Sequence, residues 1–333
     1  GMALLTGCSR SEQDAQPTVT LYSSVDDFLL REVVDDFEDQ TGIRVELVGD
    51  TEATKTTGLM QRVLSERDTP RADVWWSSEP FATERLAREG LLATMPDAIT
   101  TSLPETWPED LITEHWIGFA LRSRVFVVRT GALESPPTTL AELTDERYRG
   151  DVAIARPEFG TTRGHVAALV EAWGDDGFEA WLSAMVDNDL RVYSSNSAVV
   201  RAVAQGEVLL ALTDTDDIWA GQRNGGPIEA VYEDMPPQPG SPQADGPFPS
   251  TGPLLLPNTV GLIEGSPKPE QARTLIEFLL SERTAERIAQ SDSHNLPMRP
   301  ELRERYKQWG PPEGVPVRVG PVADAVPESL AIV

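Results

Sequence analysis

An α/β chain of two domains is what the sequence predicts, and three observations predict it. The chain has 333 residues, more than a single hydrophobic core usually organises. Its start reads strand, helix, strand, a β-α-β unit whose crossover helix makes the joined strands parallel. Apolar strands are then followed at once by Ser, Thr, Asp or Glu that open helices. Such residues stand at the carboxyl ends of strands, where open α/β sheets bind ligands.

Each element has its own signal. Residues 19–23 are strand-like; Asp26 or Asp27 caps a helix that carries Phe28, Leu30, Val33, Val34 and Phe37 at helical spacing. Thr41-Gly42 ends it, and residues 43–48 alternate as a second strand. Residues 55–66 form a helix with Leu59, Met60, Val63 and Leu64 inward. A short strand over 70–76 leads through Ser77, Ser78 and Glu79 into a helix over 81–89, closed by Gly90. Residues 116–128 are again strand-like, and 123–128 enter a second sheet. Pro136-Pro137 and residues 140–143 mark a surface connection. The strand 152–155 opens into a polar stretch over 156–163, then helices over 164–175 and 177–186. Ser195, Asn196 and Ser197 cap a helix with Val199, Val200, Ala202 and Val203 inward. After Gly206, residues 208–212 have the composition of a buried strand. Thr213, Asp214, Thr215, Asp216 and Asp217 follow directly, and the chain is organised around them as the floor of a polar site. Residues 236–253 are a loop rich in Pro and Gly, 259–263 a strand, 269–280 and 283–290 helices. The five prolines from 311 onward predict a tail that wraps the surface rather than forming core.

Composition narrows the function classes. A net charge of −26 excludes nucleic acid and anionic membrane surfaces as partners, because both are repelled, but leaves open a small anion opposed by a local site. No run of about 20 apolar residues occurs that could span a bilayer. Cys8 is the single cysteine, so no internal disulfide is possible. Residues 4–8, Leu-Leu-Thr-Gly-Cys, resemble the end of a bacterial lipoprotein signal. On that resemblance Cys8 is the lipidation site, 1–17 are a truncated signal and tether, and the protein is expected to be periplasmic or otherwise extracytoplasmic, tethered to the membrane.

Six segments carry a wider resemblance: VTLYSSVDDFLLREVVDDFEDQTGIRVEL, ADVWWSSEPFATERLAREGLL, RSRVFVVR, SNSAVVRAVAQGEVLLALTD, NTVGLIEGSPKPEQARTLIEFLLSERTAERIA and NLPMRP. In order and spacing they resemble the extracellular solute-binding proteins of ABC importers, specifically the ferric-iron type. The resemblance implies a two-lobed periplasmic-binding-protein type II architecture. One lobe is expected over 18–118 plus 258–290, and the other over 119–257 plus 291–333. It also implies hinge closure on a small ligand, an ABC permease membrane subunit as partner, a monomer, and no catalysis.

The same resemblance, with the residue chemistry beside it, sets the candidate site. The family's first-strand loop, which often carries a His, corresponds to Tyr22, Ser23, Ser24 and Asp26. Its Glu after the third strand corresponds to Ser78 or Glu79. Its anion site at a helix start corresponds to Thr161, Thr162 and Arg163, and its paired tyrosines to Thr213, Asp214, Thr215 and Asp216. Asn196 joins the ligand-binding set. Asp214, Asp216 and Asp217, with Glu79, are candidate ligands for a hard metal ion, held with a synergistic anion on residues 161–163. No other cofactor is expected. The same oxygens suit a phosphate- or phosphonate-like anion, or a thiamine- or polyamine-like cation aided by Trp219, Trp75, Trp76 or Tyr22. An enzyme using paired cleft carboxylates is the competing class, but no nucleophile elbow, phosphate-binding Gly loop or zinc motif occurs.

Overall fold

The computed structural model describes residues 16–50, 56–158, 160–244 and 246–332, with side chains described to residue 325. Cys8 and the expected tether up to residue 15 lie outside the described residues.

The chain opens with β1 (Thr18–Ser23), α1 (Asp27–Thr41) and β2 (Arg44–Gly49). Leu29, Leu30, Val33, Val34 and Phe37 form the buried stripe of α1, while Phe28, expected inward, is 46% exposed. Leu29 displaces it because 29, 30, 33, 34 and 37 hold the tighter i, i+4 face. Gly42 stops the helix at φ 69°, a left-handed position that favours glycine. α2 (Thr57–Ser65), β3 (Val74–Ser77), α3 (Pro80–Arg88) and the short α4 (Asp97–Thr100) follow.

β4 (Trp116–Arg129) is a 14-residue strand, buried along nearly its whole length. Beyond it come β5 (Val152–Ala155), α5 (Gly160–Asp187), β6 (Arg191–Tyr193), α6 (Asn196–Gln205), β7 (Leu210–Asp214), α7 (Thr215–Arg223) and β8 (Ile228–Val231). α5 bends at Gly174 (φ 71°, ψ 172°), close to the expected break between two helices. The chain then returns through β9 (Leu255–Leu262), α8 (Pro269–Leu279), α9 (Glu282–Gln290), β10 (Leu296–Pro297), α10 (Pro300–Arg305) and α11 (Val319–Ile332).

Strand order along the main path is β2-β1-β3-β9-β4-β7-β5-β6. Parallel pairs lie inside each half: β1 with β2 and β3, β5 with β6 and β7. β4 and β9 are antiparallel to their neighbours because they carry the chain in opposite directions between the halves. Residues 116–123 of β4 pair with β9, and 124–128 pair with β7. The Arg124 N–H donates to the Leu254 carbonyl at 2.9 Å, so two strands cross side by side and form the hinge. One core joins β1, α1, β4, α8 and Leu296. Two others cover the faces of the second sheet. This is the two-lobed type II architecture.

Two assignments shift. Leu296 and Met298 pack in the first lobe's core, and β10 pairs with Leu121 and Ala120 of β4, so the stretch around β10 returns to the first lobe rather than joining the second, whereas α11 lies against α5 as well as α3. The tail is not merely wrapped around the outside, since Val319 is 5% exposed and Val322 is fully buried. Pro321 sits in the first turn of α11, where its missing N–H costs no helical bond.

Candidate functional site

A cleft of about 390 Å³ lies between the lobes. The first lobe lines it with Asp26 after β1, Thr56 before α2, and Ser78 and Glu79 after β3. The second lines it with Ala155 and Arg156 after β5, Thr161 and Thr162 at the start of α5, 194–197 at the start of α6, and Asp214, Asp216 and Asp217 at the start of α7. Arg122 reaches in from the hinge. Every strand of a parallel pair except β2 thus ends at the cleft, as the carboxyl ends of open α/β sheets do.

Arg122 and Arg124 organise its floor. They stand two residues apart on β4, hence on the same face of the strand. Arg122 pairs with Asp216, donates to the Ser78 carbonyl at 2.8 Å, and places its Nε 3.9 Å from Asp214. It therefore touches both lobes at once. Burial opposes its charge, but Asp216 and Asp214 outweigh that and hold it protonated. Arg124, 2% exposed, lies behind: it donates to Asp214 Oδ1 at 2.8 Å and to Asn196 Oδ1 at 3.2 Å. Asp214 Oδ2 accepts from the Thr161 hydroxyl at 2.6 Å and the Asn196 amide at 3.1 Å. Asp214 is thus the knot that ties β7 to the starts of α5 and α6. Asp216 is buried with Oδ1 unpartnered; burial raises its pKa, against the pull of Arg122.

Glu79 lines the cleft, yet its carboxylate caps α3, accepting from Phe81 N at 2.6 Å and Ala82 N at 3.2 Å. Burial pushes its pKa up, opposed by the charge of Arg163 and by those N–H groups. Thr56 holds φ at 68°, an unusual position for a β-branched residue, and its buried hydroxyl has no partner.

The structure brings Asp26, Ser78, Glu79, Thr161, Thr162, Asn196, Asp214 and Asp216 together in one cavity. It leaves six other candidates outside the lining. Tyr22 turns its hydroxyl to Glu66 (2.9 and 3.1 Å), and burial with that carboxylate pushes its pKa up to about 12, so it supplies no phenolate. The Ser23 hydroxyl accepts from Val25 N, and Ser24 meets Ser77 and Ser78 behind the wall. Arg163 lies near Glu79 without reaching the lining; burial lowers its pKa, against the pull of Glu79. Thr213 belongs to β7 itself and is fully buried, and Thr215 accepts the Ser123 N–H at 3.2 Å. β7 runs to Asp214, two residues beyond the expected strand, which is why Thr213 faces core.

The carboxylates expected as metal ligands divide into two sets. Asp214, Asp216 and Asp217 bring ligand oxygens within 4.8 Å of one another, and Glu79 is not in that group. None of the aromatic residues expected to cradle a cation lines the cleft: Trp75 donates to Thr83, Trp76 is core, and Trp219 meets Trp309 edge-on. A thiamine-like cation therefore lacks the rings expected for it.

Sequence reasoning missed Arg122, Arg124, Thr56 and Arg156. For the first two a signal existed. Two arginines at spacing two inside an otherwise apolar, buried strand are unusual enough to need paired acids, and Asp214 and Asp216 carry the same spacing. Thr56 had none.

A family model described as bacterial extracellular solute-binding protein matches residues 32–312. The iron uptake protein A1 of Synechocystis sp. is 28% identical over 309 residues, 88% of this chain and 81% of that protein. A putative 2-aminoethylphosphonate-binding periplasmic protein of Salmonella typhimurium is 24% identical, covering 88% of this chain and 83% of its own. Among solved structures, iron-bound HitA from Pseudomonas aeruginosa superposes with a TM-score of 0.75 at 22% identity, covering 95% of this chain and 98% of its own.

Proposed function

The chain belongs to the bacterial extracellular solute-binding proteins, and from that premise we propose that it is the capture component of an ABC importer whose ligand is an oxygen-rich anion. The observation that carries this is Arg122. Its guanidinium lines the cleft at the hinge, bridges Ser78 of one lobe and Asp216 of the other, and keeps a buried Nε–H without a hydrogen-bond partner. Around it stand Arg156, the hydroxyls of Thr161, Thr162, Ser194, Ser195 and Ser197, and the starts of α5 and α6, whose first N–H groups favour anions. A phosphonate, a sugar phosphate or a hydroxycarboxylate has the acceptors for that set. No tyrosine or histidine lines the cleft among the described residues.

Iron is the second reading, favoured by the Asp214, Asp216 and Asp217 trio and by the names of the iron-binding relatives. Both oxygens of Asp214 already accept protein bonds, and Arg122 lies against Asp216, so a bare cation meets a guanidinium. Iron therefore suits this cleft as cargo inside an anionic chelate, whose oxygens engage Arg122 while the metal faces the carboxylates. Capture works by hinge closure without covalent chemistry, in a monomer outside the cytoplasm, tethered through Cys8 and delivering to a membrane permease.

A thermal-shift panel tests this with phosphate, 2-aminoethylphosphonate, citrate, ferric citrate and weakly chelated ferric ion, on wild type and Arg122→Gln. A ligand at 100 times its Kd adds about 2.7 kcal/mol to stability. A shift with one of the anions or with ferric citrate, lost in Arg122→Gln, supports the proposal. A shift with weakly chelated ferric ion alone, retained in Arg122→Gln, overturns it.

A further inference from the structure

We propose that helix α11 is a clasp that holds the two lobes together, so that opening of the cleft requires it to let go of one of them. The clasp is independent of which ligand the cleft takes.

Two helix starts, α3 of the first lobe and α5 of the second, face each other beside the cleft. Their lining residues, Glu79 and Thr161–Thr162, are followed a few residues on by Phe81 and Gly164. A Cβ on Gly164 would fall 2.0 Å from a ring carbon of Phe81, so this close approach of the lobes depends on glycine. α11 lies against both α3 and α5 at this junction. Val322 is fully buried in a cluster made by Phe81 of α3, Ala167 and Ala168 of α5, and Leu254 and Leu256 of the hinge strand.

Polar anchors are divided between the lobes in the same way. On the first lobe, Arg88 of α3 pairs with Asp324 and donates to the Gly320 carbonyl at 3.2 Å. On the second, Glu171 of α5 pairs with Arg318 at 3.6 Å. Apolar contacts follow the same division. Val315, Val317 and Val319 pack on first-lobe cores, and Ala325 packs on the second lobe's core. A rigid-body rotation that parts α3 from α5 cannot keep both sets. The closed arrangement therefore carries a stabilising contribution that needs no ligand, and a ligand has that much less to supply on closing.

The test places spin labels on the two rims of the cleft, at Phe28→Cys and Val192→Cys in a Cys8→Ser background. Phe28 lies just beyond Asp26 and Val192 just before Ser194, and both are exposed. Distances are measured on the full chain after removal of bound ligand, with and without Val322→Asp, and separately with Arg88→Ala. The labelled parent is expected to give one short distance. Val322→Asp should add a longer population, and Arg88→Ala should do so more weakly. Should Val322→Asp fail to fold, Arg88→Ala decides, because its side chain is 42% exposed and its loss leaves the cores intact. The same short distance in the parent and in every folded variant overturns the clasp. So does a parent already open.

Discussion

Replacing Arg122 by glutamine should destabilise the protein in a pH-dependent way, and the direction follows from its partners. Arg122 is 9% exposed and pairs with Asp216, itself 7% exposed, with Asp214 close by. Removing one member of a buried pair costs about 3–5 kcal/mol, because the other charge stays behind uncompensated. Asp216 has a way to escape that cost by taking up a proton. Burial already raises its pKa, and the raising influences of Asp214 and Asp26 remain once Arg122 is gone. A carboxyl whose folded pKa exceeds its unfolded value contributes stability below the unfolded pKa and loses it as pH rises through the folded one. The loss in Arg122→Gln should therefore be largest near pH 8 and shrink toward pH 5. With an unfolding entropy of about 0.7 kcal/mol/K for a chain of 333 residues, a loss of about 3 kcal/mol lowers the melting temperature by roughly 4 °C. Calorimetry at the two pH values, on Arg122→Gln, Asp216→Asn and the double variant, measures it. The double variant should recover most of the loss, since no lone carboxylate is left. An equal loss at both pH values, or a double variant as unstable as Arg122→Gln, would refute the reasoning.

Two further outcomes follow from buried groups elsewhere. Glu233 accepts from Ser250 at 2.7 Å and Thr251 N at 2.8 Å, yet burial pushes its pKa up to about 7. The folded state thus binds its proton more tightly than the unfolded one, and stability should fall by on the order of 3 kcal/mol between pH 4.5 and pH 8. Glu233→Gln should flatten that decline in melts across the range, and an unchanged slope would count against it. Thr56 is the other case. Its hydroxyl has no partner and its φ is 68°, so Thr56→Val should leave ligand-free stability within about 0.5 kcal/mol, and Thr56→Gly should raise it by about 1 kcal/mol. A melting temperature that drops clearly in Thr56→Val would mean the hydroxyl serves the fold.

Local pattern was enough for most of the elements. The stripe of α1, the Gly42 stop, the Ser195 cap of α6 and the apolar run of β7 are decided by neighbours within one or two turns, and such signals are written in order along the chain. The placing of Asp26, Ser78, Thr161 and Asp214 at strand ends was legible for the same reason, since the residue after a parallel strand has little choice of position. Tertiary structure decided which of those oxygens are free. Asp214 is spent on Arg124, Thr161 and Asn196, and Glu79 on the first turn of α3, because a buried carboxylate must find donors and these stood nearest. It also decided that an apolar strand would carry Arg122 into the cleft and Arg124 behind its floor, and that Val322 would sit between lobes that are distant in sequence. Periodicity reports which face of an element is buried; only packing reports what it is buried against.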